Sequence, residues 1–134
     1  MRIRNAELTD ASKLSLLMNE GFGWETTTPY ESTFFNNNNI ICLIAENEQG
    51  EIMGSASLHL LQKINRRLGI IEDVVVFKKF RGKMVGFKLI KQLIKISKDS
   101  KCYKLILNTN KDTVHYYECF GFIKKQLQME LREK

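Results

Sequence analysis

Ile71-Glu72-Asp73-Val74-Val75-Val76 is followed, four residues on, by Arg81-Gly82-Lys83-Met84-Val85-Gly86, and this stretch holds the chain's densest structural information. Three successive β-branched valines favour an extended, buried strand. Two glycines around a basic residue, followed by an apolar-periodic segment, favour a tight turn that opens a helix. Such a turn aims backbone N–H groups and the positive end of a helix dipole at an anion. From Val85 to about Lys98 the helix places Val85, Leu89, Ile90, Leu93, Ile94 and Ile96 on one side and Lys88, Lys91, Lys95 and Lys98 on the other. The reading is strand, anion loop, amphipathic helix.

The loop fits neither common nucleotide signature. A Walker loop requires Gly-Lys-Ser/Thr at its end, whereas Gly86 is followed by Phe87. A Rossmann fingerprint requires three glycines in G-x-G-x-x-G, and only Gly82 and Gly86 are available.

Around this unit the chain alternates helical and strand-like segments. Arg2 to Asn5 reads as a short strand, and Thr9 or Asp10 as the cap of a helix with Leu14, Leu17 and Met18 inward, ended by Gly21 and Gly23. Thr28, Pro29 and Glu31 form a capping-box pattern for a short helix reaching about Phe35. Asn36 to Asn39 is a polar loop. Ile40 to Ala45 and Glu51 to Leu61 read as strands joined at Asn47 to Gly50, and Lys63 to Arg67 as a basic turn into the valine strand. After the long helix, Tyr103 to Leu107 reads as a mostly buried strand, Thr113 to Cys119 as a short helix closed by Gly121, and Phe122 to Leu131 as a final strand. This order implies an α/β fold with a mixed sheet of about six or seven strands and about four helices.

With 134 residues, 43% of them hydrophobic, the chain has the size of one domain spanning residues 1–134. No apolar run is long enough to span a bilayer, and the N-terminus lacks the apolar core of a secretory signal, so a cytoplasmic protein is expected. Cys42, Cys102 and Cys119 form no C-x-x-C pair, which suits reduced thiols. His59 and His115 have no ligand spacing, so no metal is expected. The net charge of +6 gathers in Lys78 to Lys104 and Lys124 to Lys134. No zinc-knuckle, helix-turn-helix or Arg-aromatic pattern accompanies it, so small-molecule phosphate is a better partner than nucleic acid.

Arg81 to Gly86 resembles the pyrophosphate loop of the GNAT N-acetyltransferase superfamily, Arg/Gln-x-x-Gly-x-Gly/Ala. Met84 stands at its first glycine, a side chain that fits if the residue already has helical backbone angles. Tyr116-Tyr117-Glu118-Cys119-Phe120-Gly121-Phe122 resembles the superfamily's F-Y-x-x-x-G-F ending, with Tyr116 for the first Phe. Glu72-Asp73, Arg81-Gly82-Lys83, Cys102-Tyr103-Lys104 and Gln128-Met129 are similar to the glucosamine 6-phosphate N-acetyltransferase family of amino-sugar metabolism, over roughly residues 52 to 132.

The resemblance implies a GNAT fold and acetyl transfer from acetyl-CoA to the amine of D-glucosamine 6-phosphate, on the route to UDP-N-acetylglucosamine. It implies a homodimer whose partners share the pocket. Acetyl-CoA would lie along Val74, Val75 and Val76, with its pyrophosphate on Arg81, Gly82, Lys83, Met84, Val85 and Gly86, and with Thr113 and Tyr117 nearby. Tyr117 would protonate the departing thiolate. The sugar would sit by Glu72 and Asp73, its phosphate met by Tyr103, Lys104, Lys63 and Arg132. Asn108 occupies the position where the family has its acidic residue, and an amide cannot accept a proton at neutral pH. Either a water relay held by Asn108 would then serve, or Glu72 or Asp73 would itself accept the proton, or the acceptor is another small amine or a protein N-terminus. Two further readings are a covalent acetyl-enzyme on Cys119 with His115 as base and a non-catalytic coenzyme-binding module.

Overall fold

The computed structural model describes residues 1–25 and 32–133. Its described strands are β1 (Arg2–Asn5), β2 (Ile40–Glu46), β3 (Ile52–Gln62), β4 (Arg67–Val76) and β5 (Lys104–Ile106). They form one sheet in the order β1-β2-β3-β4-β5. The first four are antiparallel neighbours, and β5 joins β4 in parallel. The helices are α1 (Ala11–Phe22), α2 (Ser32–Phe35), α3 (Val85–Asp99) and α4 (Val114–Glu118).

The pattern of apolar residues sorts the helices onto opposite faces. Val85, Leu89, Ile90 and Leu93 of α3 are buried against Leu43, Ala45, Met53, Ala56, Leu58 and Ile71. Each such aliphatic side chain contributes roughly 1.5–3 kcal/mol when fully buried. Leu14 and Leu17 of α1 pack on the other face, against Ile44, Ile52 and Val75. Lys88, Lys91, Lys95 and Lys98 stay on the outer side of α3, as the 3.6-residue period requires.

Asp10 stands at the cap position of α1, as expected, but its carboxylate makes no bond into that helix. Asp10 spends its carboxylate on Arg4, with Nη1 and Nη2 donating at 2.8 and 2.9 Å, and on the Glu7 N–H at 2.8 Å. The Arg4 guanidinium lowers the Asp10 pKa. This pair ties β1 to the α1 entrance, which begins as a 3-10 turn, Leu8–Asp10. The expected Thr28-Pro29-Glu31 capping box lies outside the described residues, although the helix it would introduce is present as α2.

Two strand expectations fail together. Phe122 to Leu131 forms no strand, so the described sheet has five strands instead of six or seven. Leu127, Met129 and Leu131 are 95%, 93% and 100% exposed. An isolated segment has no partner for its backbone N–H and C=O groups, and alternation alone cannot make it a strand. For the same reason β5 is an edge strand, half open to solvent instead of mostly buried.

The β3–β4 ladder is the sheet's most constrained junction. Its register slips between Ser55, opposite Val75, and Ser57, opposite Glu72. Two residues of β4, Asp73 and Val74, therefore face the single Ala56, and Asp73 takes φ +52°. Gly54 permits the close approach, since a Cβ there would lie 2.8 Å from the Val75 carbonyl oxygen and 3.1 Å from Val85 Cγ1. We expect Gly54→Ala to lower stability by about 1–3 kcal/mol in urea unfolding, as overpacking against backbone does.

Candidate active site

β4 and β5 pair only at Leu68–Lys104, Gly69–Leu105 and Ile70–Ile106. Beyond Ile70 they separate, and β4 from Ile71 to Val76 is hydrogen-bonded to β3 alone. In an antiparallel ladder half of a strand's backbone groups point away from its partner. Those of Val74 to Val76 consequently line a wedge-shaped opening beside β5. An extended amide-bearing chain can pair with that edge as an additional strand would.

Directly beyond β4, Phe77 and the 3-10 turn Lys78–Phe80 lead into the glycine loop. Arg81 folds back, its Nε donating to the Val76 carbonyl at 3.3 Å, and closes the strand's end. Lys83 Nζ lies 5.8 Å from the Phe80 ring centre. Gly82 has φ +81° and Met84 φ +66°, ψ +18°. Met84 is thus left-handed, not helical as its tolerance of a side chain would suggest, at a cost of roughly 1–2 kcal/mol for a residue with a Cβ. The turn leaves the first N–H groups of α3, at Val85, Gly86 and Phe87, aimed out of the helix as an anion site.

Two tyrosines of α4 close this end of the wedge. Tyr116 Oη would lie 3.1 Å from a Cβ built on Gly86, so its hydroxyl stands over the α3 N-terminus. Tyr117 packs on the α3-side core, with its ring 5.1 Å from Tyr116 and 6.1 Å from Phe122. Burial raises the pKa of both phenols, for Tyr116 with a smaller contribution from Tyr117. Both therefore stay protonated at neutral pH, the form a proton donor needs. The sequence reading missed the Tyr116 hydroxyl, although its replacement of the motif's Phe was the available signal.

Below α4, Asn110 Oδ1 accepts from the Asp112 N–H at 3.0 Å and from Thr113 Oγ1 at 3.1 Å. Thr113 also contacts Thr109 Oγ1. Thr113 thus shapes the loop entering α4, and Asn108 sits exposed just after β5. His115 Nδ1 lies 2.9 Å from Glu118 Oε1, while the Cys119 thiol donates to the His115 carbonyl at 3.3 Å. The imidazole is turned to a carboxylate and the thiol to backbone, so the two do not form a nucleophile–base pair.

The carboxylates expected to face the acceptor lie on the β4 bulge. Glu72 is exposed. Asp73 is also open to solvent on one side, yet protein around its carboxyl desolvates it and raises its pKa, with His59 pulling weakly the other way. His59 stands on β3 beside Ser57, whose Oγ lies 3.3 Å from Nε2 and donates to the Glu72 carbonyl at 3.1 Å. The ring of Phe34 from α2 lies 6.3 Å from the imidazole.

A cationic cluster gathers on the outer end of β4 and β5. Lys63 Nζ donates to Tyr103 Oη at 3.3 Å, the Arg66 guanidinium carbon lies 5.0 Å from the Tyr103 ring centre, and Lys104 Nζ lies 5.4 Å from it. The Arg66 guanidinium first, then the Lys63 ammonium, lower the Tyr103 phenol to about 8. Lys63, Tyr103 and Lys104 are therefore together as expected, and Arg66 joins them from the basic turn. Arg132 is not seen with them: it lies in the exposed tail, its Nε donating to Glu130 at 2.9 Å.

No group of His, Cys, Asp and Glu suited to a metal ion occurs among the described residues, and no described helix is long and apolar enough to cross a membrane. A sequence profile of the acetyltransferase (GNAT) family matches residues 7–122. The glucosamine 6-phosphate N-acetyltransferase of Arabidopsis thaliana is 36% identical over 98 residues, covering 71% of this chain and 66% of that protein. That of Trypanosoma brucei brucei is 42% identical over 85 residues, covering 61% and 58%. The match thus spans about two thirds or less of these curated relatives' length. Among solved structures, an acetyltransferase of Trypanosoma brucei superposes with a TM-score of 0.84 at 31% identity, over 98% of this chain and 99% of that one. With a split β4–β5 pair, a left-handed anion loop ahead of α3 and a family match across most of its length, this chain belongs to the GNAT acetyltransferase family.

Proposed function

We propose that the chain, as one domain, transfers the acetyl group of acetyl-CoA to the amine of D-glucosamine 6-phosphate, forming N-acetylglucosamine 6-phosphate for UDP-N-acetylglucosamine synthesis in the cytoplasm. The observation that carries this reading is the cluster of Lys63, Arg66 and Lys104 around Tyr103, placed beside β4 in a fold whose relatives are named for that sugar phosphate. Cations of this kind match a phosphate dianion, and the guanidinium can do so in a bidentate manner.

In this reading the pantetheine pairs with the free edge of Val74 to Val76, and an N–H there polarises the thioester carbonyl. The pyrophosphate rests on the loop from Arg81 to Gly86. The amine attacks the thioester carbon, the C–S bond breaks toward sulfur, and Tyr117 protonates the thiolate. The exposed alternation of Leu127, Met129 and Leu131, next to a sheet whose β5 edge is bare, supports a homodimer. Each tail would add a strand to its partner and carry Arg132 toward the partner's phosphate. An alternative acceptor, another small amine or a protein N-terminus, is favoured by Asn108 at the acidic position and by the loose match of the N-terminal third.

Acetyl-CoA should raise the thermal midpoint of the wild type by mass action. Gly86→Asp should abolish that rise, because its carboxylate would oppose the pyrophosphate and press on Tyr116 Oη. A preserved rise would remove the loop from the cofactor site.

Glucosamine 6-phosphate should be acetylated far better than glucosamine. Arg66→Ala, Lys104→Ala and Arg132→Ala should each narrow the gap through KM, by roughly 1.5–3 kcal/mol for a charge-assisted contact. The Tyr103 phenol, held at about 8, adds a negative charge as pH climbs through that value. KM for the phosphorylated sugar should therefore rise above about pH 8, and Tyr103→Phe should flatten that rise. Equal rates for the two sugars would favour the alternative acceptor.

For Tyr117→Phe, turnover should fall with little change in acetyl-CoA affinity, since its role begins at thiolate departure. Single-turnover quench should show free thiol appearing only with amine. Acetyl groups on Cys119 before amine addition would replace direct transfer with a covalent route.

A further inference from the structure

We infer that Tyr116 is a coenzyme-binding residue, its hydroxyl donating to the pyrophosphate of acetyl-CoA at the first turn of α3, and that Gly86 is glycine to leave that hydroxyl its place. This rests on the acetyl-CoA loop proposed above and adds a side-chain donor to a site otherwise made of backbone amides.

Packing sets the position of the hydroxyl. Phe87, in the first turn of α3, stacks on Phe120 with ring centres 5.2 Å apart, and Phe120 meets the Tyr116 ring edge-on at 5.3 Å. Tyr117 also meets that ring edge-on, at 5.1 Å. Aromatic pairs of this geometry hold their relative orientation, so one chain of rings carries the phenol to α3. A Cβ built on Gly86 would lie 3.1 Å from Tyr116 Oη and 3.7 Å from Val76 Cγ2. The hydroxyl thus stands where the valine end of β4 meets the α3 N-terminus. A pantetheine arm paired with β4 would run into its pyrophosphate at that point. The loop motif admits glycine or alanine at this position, and an alanine methyl would crowd Oη. Tyrosine in place of the motif's Phe at 116 therefore selects the glycine of the two.

The donors here lack acceptors. Lys88 is the first residue of α3 whose N–H bonds back to the loop, to the Met84 carbonyl at 3.1 Å, so the amides of Val85, Gly86 and Phe87 have no acceptor within the helix. Tyr116 is fixed by its ring contacts, and its hydroxyl has no hydrogen-bond partner among the described residues. Of the loop's cations, Arg81 Nε donates to the Val76 carbonyl and the Lys83 ammonium lies against the Phe80 ring. Burial keeps the Tyr116 phenol protonated at neutral pH, so it has a proton to give. A pyrophosphate oxygen, with several lone pairs and negative charge, accepts from the amides and the phenol together.

Calorimetric titration with CoA should give a Kd about tenfold higher in Tyr116→Phe than in the wild type, the loss expected for one hydrogen bond to a charged group. ADP, which keeps the pyrophosphate and lacks the pantetheine, should displace CoA from the wild type and lose affinity by the same factor in the variant. In turnover with glucosamine 6-phosphate the loss should fall on KM for acetyl-CoA, with kcat changed by less than about twofold, which separates this role from that of Tyr117. Without ligand, Gly86→Ala should cost about 2–4 °C more of thermal midpoint in the wild type than in Tyr116→Phe, where the hydroxyl it presses on is gone. An unchanged CoA affinity, an ADP affinity indifferent to the hydroxyl, or an equal effect of Gly86→Ala in the two backgrounds would each overturn the inference. A wild type that binds no CoA ends the loop reading and this inference with it. One that binds CoA but leaves glucosamine 6-phosphate untouched removes the acceptor reading alone, and the titrations still decide the role of Tyr116.

Discussion

The close approach of β3 and β4 at Gly54 is the constraint from which the working parts follow. Because no side chain intervenes there, the Val75 carbonyl, Val76 and the first residue of α3 converge on one point. The ladder slips by one residue before Ser57, and the slip leaves Asp73 in a left-handed conformation while Val74 and Val76 remain against the α3 core. A bulge lets one short run of backbone present side chains that strict alternation would keep on opposite faces. Without it, strict alternation would set Asp73 opposite Ala56, on the face of the α3 core.

Divergence of β4 from β5 completes the arrangement. The two strands are parallel and joined at only three residue pairs, so the valine end of β4 keeps free backbone groups while its arginine end is held next to Tyr103 and Lys104. The anion loop lies beyond one end of β4 and the cationic cluster beyond the other. A molecule with a pyrophosphate and an acceptor with a phosphate can therefore approach from opposite ends without competing for the same positive charge.

Much of this was legible in the residues because local chemistry dictated it. Three valines, a glycine turn and a lysine-striped amphipathic segment specify strand, loop and helix with little help from the remainder of the chain. Cys102-Tyr103-Lys104 and Tyr116-Tyr117 likewise stand out by residue type. What could not be read depends on partners distant in sequence. Phe122 to Leu131 has the alternation of a strand, but alternation does not provide something to pair with. Arg66 looks like one charge in a basic turn until it reaches Tyr103. The Met84 backbone is illegible for another reason: one residue before a helix, left-handed and right-handed conformations leave the same sequence trace.

Met84 also bears on how far such a loop can drift. An anion bound by backbone amides senses the direction of the peptides and not the side chain that projects away from them, here 55% exposed. Glycine at that point is thus a matter of conformational expense and not of recognition. Its replacement draws roughly 1–2 kcal/mol from a fold whose net stability is of the order of 5–15 kcal/mol. A loop of this geometry can keep its amide directions after losing its most recognisable letter, while the chain as a whole is left with less tolerance for the next destabilising substitution elsewhere.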